Sequence, residues 1–564
     1  MIAAIGARWQ WRGADRPLRL ALIAGIWILL IVFVLYPLAR LFGRAFNEEG
    51  VFTFAPFVDA LSNPNHLRAL RNSLILATLV AAVGTSAGFL FAFTAERTNL
   101  AGGIRRLLDF TILLPLISPP FTTSIAFVFS FGPRGLITHD LLGMQDAQVY
   151  GWNSTVAAEA LTYFPLAFLA LRPLIASIGS DLEDAAFSLG GSRWHVFRTV
   201  TLPLTLPGLA NAFLLLFAAS LADFATPLIL AGNGLPVLPT DAYLQITGMF
   251  DLKGGAVLSL LLLAPAAIVF FAQRHIVGRR NYATITGKAG GRAPHRRIAS
   301  WLRYALWLAC IALAAFIVYL YALLVYASAV VAFGADATPT LSNYRVIFTE
   351  GIPAIKDTLI IALICMPLGG VYGIVVGYLV GRMRFAGRQA IEIVSMINYA
   401  LPGTIVGVAY LIAFNDEPIV LTGTASIIVA CYVFRYSPTG IRTTVALLQQ
   451  VDRSIEEASF SLGAGGLATF WRVILPLILP AFFAGLGAVF IRAMTAITAT
   501  IFLVSINWTL ITVRILENMT ELSLGPAAAF SVFVIVVVLA VTSLLDVLLR
   551  GMTAPELRPS ALET

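Results

Sequence analysis

The 564-residue chain is 59% hydrophobic and only 12% charged, with a net charge of +8, where ordinary soluble domains carry about 25% charged residues. So few polar groups cannot cover a soluble surface, so the composition excludes a string of soluble domains and points to a polytopic membrane protein. The basic residues lie in short clusters between apolar runs, which fits membrane topology and excludes a nucleic-acid footprint; Cys310, Cys365 and Cys431 lie inside apolar runs without metal-site or disulfide spacing.

A membrane crossing needs about 20 apolar residues. On that scale twelve spans are predicted, near 20–43, 72–95, 107–131, 155–174, 204–230, 255–271, 304–333, 358–380, 391–414, 421–447, 477–504 and 527–549. The first follows a basic leader and is too long for a signal-peptide core, so it is read as a retained anchor. With the N-terminus in the cytoplasm, connections on that side hold 24 Lys and Arg against 8 on the other. This bias predicts both termini cytoplasmic. The middle loop, 272–303, has eight basic residues and no acidic one. It divides the chain into a first half at 1–280, a basic cytoplasmic linker at 281–300 and a second half at 301–564.

The halves repeat. Residues 181–209 and 454–482 align without a gap at an offset of 273, with 13 of 29 positions identical. Six spans separate the copies, so both fall on the cytoplasmic side and the halves are parallel. Each copy reads as a short charged helix, a glycine free to adopt positive φ, then Leu-Pro opening the next span. Two copies of a mere connector would be expected to drift, so the segment is read as a docking surface.

Asp184-Ala185-Ala186 followed by Gly190, and Glu457-Ala458-Ser459 followed by Gly463, resemble the EAA motif of bacterial ABC importer permeases. Asp for the first Glu and Ser for the last Ala are the departures. Twelve spans with two such motifs resemble a fused permease. The resemblance implies an all-α polytopic fold of about twelve transmembrane helices in two parallel six-helix halves, located in the bacterial inner membrane. It also implies that the eight motif residues couple to two ABC ATPase subunits, that a periplasmic substrate-binding protein docks outside, and that ATP and Mg are used by the partner ATPase, with no cofactor bound by this chain. None of the three lysines lies in a phosphate-binding loop, so the chain is expected to be a transport subunit and not an enzyme.

Residues 220–233 and 491–505 resemble the ferric-iron group of these permeases, which implies iron(III) as substrate. Related branches carry 2-aminoethylphosphonate, sugar phosphate, thiamine or polyamine. Ionisable groups within spans are costly and usually face a cavity or a partner; here Glu159, Asp223, Arg435 and Arg492 stand out. Asp223 aligns with Ala496 and Arg492 with Ala219, so Asp223 and Arg492 are expected to face each other across the pseudo-twofold axis and, with Glu159, to line the path. An ion-coupled secondary transporter is the rival class. It would use Glu159 as a protonatable carboxylate but leaves the twin cytoplasmic surfaces unexplained. Gly84 with Gly88, and Gly373 with Gly377, are read as close-packing pairs. The five dispersed histidines predict no metal site.

Overall fold

A computed structural model describes residues 16–48, 50–178, 180–232, 234–279 and 299–553. The linker expected at 281–300 lies outside the described residues except for its last two positions. The fold is all-α and polytopic, in two parallel six-helix halves. Among the described residues, strands are confined to two small hairpins, Asn47–Glu48 with Val51–Phe52 and Val330–Ala332 with Asp336–Pro339, each following the first span of its half.

Among the described residues, nine helices are long and apolar enough to cross a membrane: Pro17–Phe46, Pro64–Arg97, Trp152–Ser177, Arg193–Leu221 and Leu252–Val269, then Ser300–Ser328, Ile352–Arg382, Gly466–Thr495 and Leu524–Arg550. The remaining three expected spans are interrupted, and proline explains where. The third span of each half, expected as one rod, is a bent pair. Gly102–Ile117 turns by 104° into Phe121–Leu141, and Arg388–Ala400 turns by 105° into Gly403–Phe414. The breaks fall at Ser118-Pro119-Pro120 and Leu401-Pro402, where proline lacks a donor and drives the preceding residue to extended backbone. The segment expected at 421–447 is Ala425–Tyr436 and Pro438–Gln450, parted only at Ser437. Its counterpart Trp152–Ser177 runs unbroken through Pro165. The span expected over 204–230 stops at Leu221, and a separate helix, Ala225–Leu230, follows.

The second spans, Pro64–Arg97 and Ile352–Arg382, correspond at an offset of 285, because the first half has twelve more residues between Arg97 and Trp152 than the second has between Arg382 and Ala425. All four glycines expected to pack closely meet a neighbouring helix, and across the halves Gly84 corresponds to Gly369 and Gly88 to Gly373. Gly84 and Gly369 face Leu216 and Val489, while Gly88 and Gly373 face Ala167 and Gly440. Gly377 is an additional close contact, where a Cβ would lie 2.7 Å from that of Thr444.

The first span of each half crosses to the other half. The Tyr36 hydroxyl donates to the Ala413 carbonyl at 3.2 Å, and Tyr410 and Asn398 donate to the Phe33 carbonyl. Reciprocally, Tyr321, the counterpart of Tyr36, shares a 2.7 Å hydrogen bond with Ser118. Three π-turns, Ile31–Leu35, Phe197–Thr201 and Phe470–Ile474, each end two residues before a proline. The wider turn carries a carbonyl away from the proline ring that would otherwise strike it.

Candidate functional site

The repeated segments form two short helices, Ser180–Ser188 and Arg453–Ser461, on one face of the molecule, hereafter the repeat face. Gly190 and Gly463 end them with φ of 86° and 87°. In each, the glycine N–H reaches back three residues, to Phe187 or Phe460, and the next N–H reaches back five, to Ala186 or Ser459. A Cβ at either glycine would meet nothing within 4 Å, so conformation and not space demands glycine there. The turn thrusts Leu189 and Leu462 outward, each 89% exposed, and Trp194 and Leu467 flank them at equivalent positions. Ala185 and Ala458 are exposed, while Ala186 and Ser459 are half-buried. Serine at 459 is accommodated by a 2.9 Å hydrogen bond to Thr469, which takes the place of buried Val196 in the first half.

The residues just before Asp184 and Glu457 fasten these helices to the spans. Glu183 pairs with Arg97 at 3.3 Å, and Glu456 pairs with Arg382 at 2.8 Å. The same guanidinium groups donate to the carbonyls of Ile178 and Val451, the ends of the fourth spans. In the first half, Thr201 also donates to Glu183 at 2.7 Å; Ile474 stands in its place in the second. Burial pushes the Glu456 carboxyl above its ordinary value, against the pull of Arg382. These four residues were not among the sequence candidates. The two glutamates were visible as an identical pair in the repeat, but the arginines, at a different offset, register only as topology charges.

Between the halves lies a belt of polar side chains. Glu159 is wholly buried and accepts a hydrogen bond from the Ser220 hydroxyl. Its counterpart is Tyr432, which shares a hydrogen bond with Thr500. Asp223, 2% exposed, accepts the N–H groups of Ala225 and Thr226 through Oδ1 at 2.9 and 3.3 Å. It therefore caps the helix Ala225–Leu230. Arg492 is exposed and interacts electrostatically with Tyr163 of the first half and Tyr436 of the second. The expected Asp223–Arg492 bridge is not formed among the described ion pairs, because Asp223 turns back on its own chain instead. Arg435 donates to the carbonyls of Asn398 and Leu401 at 2.8 and 3.1 Å, satisfying the helix end left open by the Pro402 break. Among the described residues, no three His, Cys, Asp or Glu side chains gather as a metal-holding set.

The model of the family described as "Binding-protein-dependent transport system inner membrane component" matches residues 67–282 and 373–554. The chain is 34% identical over 541 residues to the ferric transport system permease protein FbpB of Actinobacillus pleuropneumoniae, covering 93% of this chain and 77% of that one. It is 33% identical over 498 residues to the putative ferric transport system permease protein FbpB 1 of Haemophilus influenzae, covering 85% and 77%. A shorter match, 34% over 208 residues, is to the molybdenum transport system permease protein ModB of Escherichia coli, covering 36% of this chain and 89% of that one. Among solved structures, a bacterial ABC transporter for import of the acidic polysaccharide alginate aligns with a TM-score of 0.41 at 20% identity, over 47% of this chain and 96% of that chain.

Proposed function

Because the chain belongs to the family of binding-protein-dependent transport system inner membrane components, we propose that it is the permease of a bacterial importer for iron(III), with both halves of the pathway supplied by one polypeptide. The ferric assignment rests on 34% identity to a ferric permease across 93% of the chain. In this reading the repeat face is cytoplasmic, as are both termini, and the membrane is the inner membrane.

The observation that carries the mechanism is the twin exposed tip. Leu189 and Leu462 stand at identical places just before identical glycine turns, and an exposed leucine on a rigid short helix suits insertion into a groove of a partner. Two ATPase subunits dock there, on the segments bearing Asp184, Ala185, Ala186 and Gly190, and Glu457, Ala458, Ser459 and Gly463. They bind ATP with Mg and do the hydrolysis; this chain converts their closure into alternating access. A periplasmic binding protein delivers iron at the opposite face. The path runs between the halves past Glu159, Asp223 and Arg492. The opposed chemistry of the belt supports this, with carboxylates on the first-half wall and arginines on the second.

Radiolabelled iron(III) uptake in a strain lacking this chain tests the proposal. Uptake is expected to disappear, to return with the wild type and to stay absent with Gly463→Pro at normal membrane levels. Unchanged uptake in iron-starved deletion cells would sink the ferric assignment.

A further inference from the structure

The second span of each half is fastened at both ends, and the fastenings are repeated in the other half. On the repeat face, Arg97 and Arg382 hold Glu183 and Glu456 of the docking helices through pairs whose side chains are between 7% and 16% exposed. Charges so far removed from water hold more firmly than surface pairs, because breaking one strands the other. On the far face, the hydroxyls of Ser73 and Thr358 accept the N–H groups of Leu238 and Ile511, each at 2.8 Å. Those N–H groups open two short outer helices, Leu238–Thr247 and Ile511–Thr520. One residue earlier, Asn72 donates to the Pro236 carbonyl at 3.0 Å, while Asp357 accepts the Thr509 N–H at 3.1 Å. The contact persists with its polarity reversed.

The anchoring residues on the second spans correspond at an offset of 285 and their partners at 273. All these contacts therefore survive a twelve-residue change in the intervening chain. In each half the two anchors are 24 residues apart on one helix, about 36 Å of rise, enough to cross the hydrocarbon core.

We propose, building on the importer reading above, that the second spans are struts and that Arg97 and Arg382 are positioning residues for coupling. Displacement of the docked helices passes through the two ion pairs into Pro64–Arg97 and Ile352–Arg382. It leaves them through Ser73 and Thr358 at the first turn of the outer helices. Without the ion pairs the docking helices still engage the ATPase, but their movement no longer reaches the far face.

The test uses the assembled importer in proteoliposomes, with its ATPase and binding protein and with radiolabelled ferric citrate as probe. The double variant Arg97→Met/Arg382→Met is expected to hydrolyse ATP within twofold of wild type while iron imported per ATP falls at least tenfold. Arg382→Glu combined with Glu456→Arg is expected to regain at least half of what Arg382→Glu alone loses. A second readout needs no substrate: spin labels at Met249→Cys and Leu522→Cys, exposed equivalent sites just past the outer helices. The native cysteines are buried and will not compete. The label separation should change between nucleotide-free and ATP-vanadate states in wild type, and by less than a third as much in the double variant. Parallel loss of hydrolysis and uptake, or an undiminished label change, overturns the proposal. A wild type with the label change but no iron uptake removes only the ferric assignment, and the struts are still judged from the labels. A wild type with no ATP-dependent change overturns the importer reading and the struts together. Should the double variant fail to reach the membrane, Glu183→Gln with Glu456→Gln is expected to lower iron per ATP about threefold, and an unchanged ratio overturns the proposal.

Discussion

Just inside the ion pairs on the repeat face, the two halves pack the same backbone with opposite chemistry. In the first half Arg172 bridges Glu96 and Asp109, both at 2.9 Å, and Arg105 joins Glu96 at 2.7 Å, so charge ties the second, third and fourth spans together. In the second half the places of Glu96 and Arg172 belong to Gly381 and Val445, and a Cβ on Gly381 would touch Leu448 at 3.0 Å and Val445 at 3.8 Å. The belt between the halves follows suit, with Glu159, Thr162, Ser220 and Asp223 replaced by Tyr432, Arg435, Ala493 and Ala496. Duplication thus preserved helix positions and the fastenings of the second spans, while the contacts between them diverged. What is shared is the placement of the spans and how their ends are tied; what differs is how each half is held together inside.

The sharpest way to break the comparison is to attack what the halves share. Gly88→Leu and Gly373→Leu should each cost about 3 kcal/mol or more. A Cβ at Gly88 would sit 2.6 Å from that of Ala167 and 2.8 Å from the Phe168 backbone nitrogen, and Gly373 faces the backbone of Gly440. Loss of monodisperse protein in detergent size-exclusion profiles is the readout; retention by one variant only would show unequal packing. Next come the divergent contacts. Arg172→Ala, which strands Asp109 and leaves Glu96 to Arg105 alone, should cost about 2 kcal/mol at low salt and less in 1 M salt. Val445→Ala should cost about 1 kcal/mol whatever the salt. Thermal melts at two ionic strengths decide this, and equal salt dependence would contradict the contrast. Gly190→Ala and Gly463→Ala should each cost about 1 kcal/mol locally, from positive φ alone, with equal losses of ATPase co-purification.

The smallest effect distinguishes the halves by pH. Burial pushes the Asp241 carboxyl up to about 6, with His66 opposing, whereas its counterpart is Arg514. A carboxyl whose folded value exceeds the ordinary value of about 3.9 takes up protons on folding. The stabilisation is complete below about pH 4 and is lost as pH rises through 6, so the charged form opposes folding at neutrality. Asp241→Asn should flatten the melting profile between pH 4 and 6, by under about 1 kcal/mol after solvent screening. Arg514→Gln should leave that profile unchanged.

The short helices of the repeat face were legible because both partners of the repeat lie at one offset and the identities cluster around Gly190 and Gly463. The ion pairs beneath them were not, because Arg97 and Arg382 lie at another offset and a single alignment cannot hold both. The bends at Ser118-Pro119-Pro120 and Leu401-Pro402 were written in proline but hidden by hydropathy, which stays high across them and reads one rod. Asp223 misled for a related reason. Its place within an apolar run suggested a charge seeking a distant partner, yet Asp-Phe-Ala-Thr-Pro is also the start of a helix, and the local contact prevails. Arg435, too, is satisfied by carbonyls that the Pro402 break exposes, a need visible only once the chain is folded.

Each π-turn is, in effect, one residue inserted into a helix, and one residue advances the phase of everything beyond it by about 100°. Phe470–Ile474 therefore sets the face on which Arg492 emerges 18 positions beyond Ile474, and Phe197–Thr201 does the same for Ser220. Deleting one residue from 470–474, with Pro476 replaced so that an ordinary helix can form, would scarcely shorten the fifth span of the second half. It would instead carry Arg492 away from the side it shares with Tyr163 and Tyr436. Because the two wide turns occupy matching places, the halves stay in phase only while both are kept or both are lost. Gaps and insertions near these prolines accordingly act as rotations of a wall and not as changes in its height.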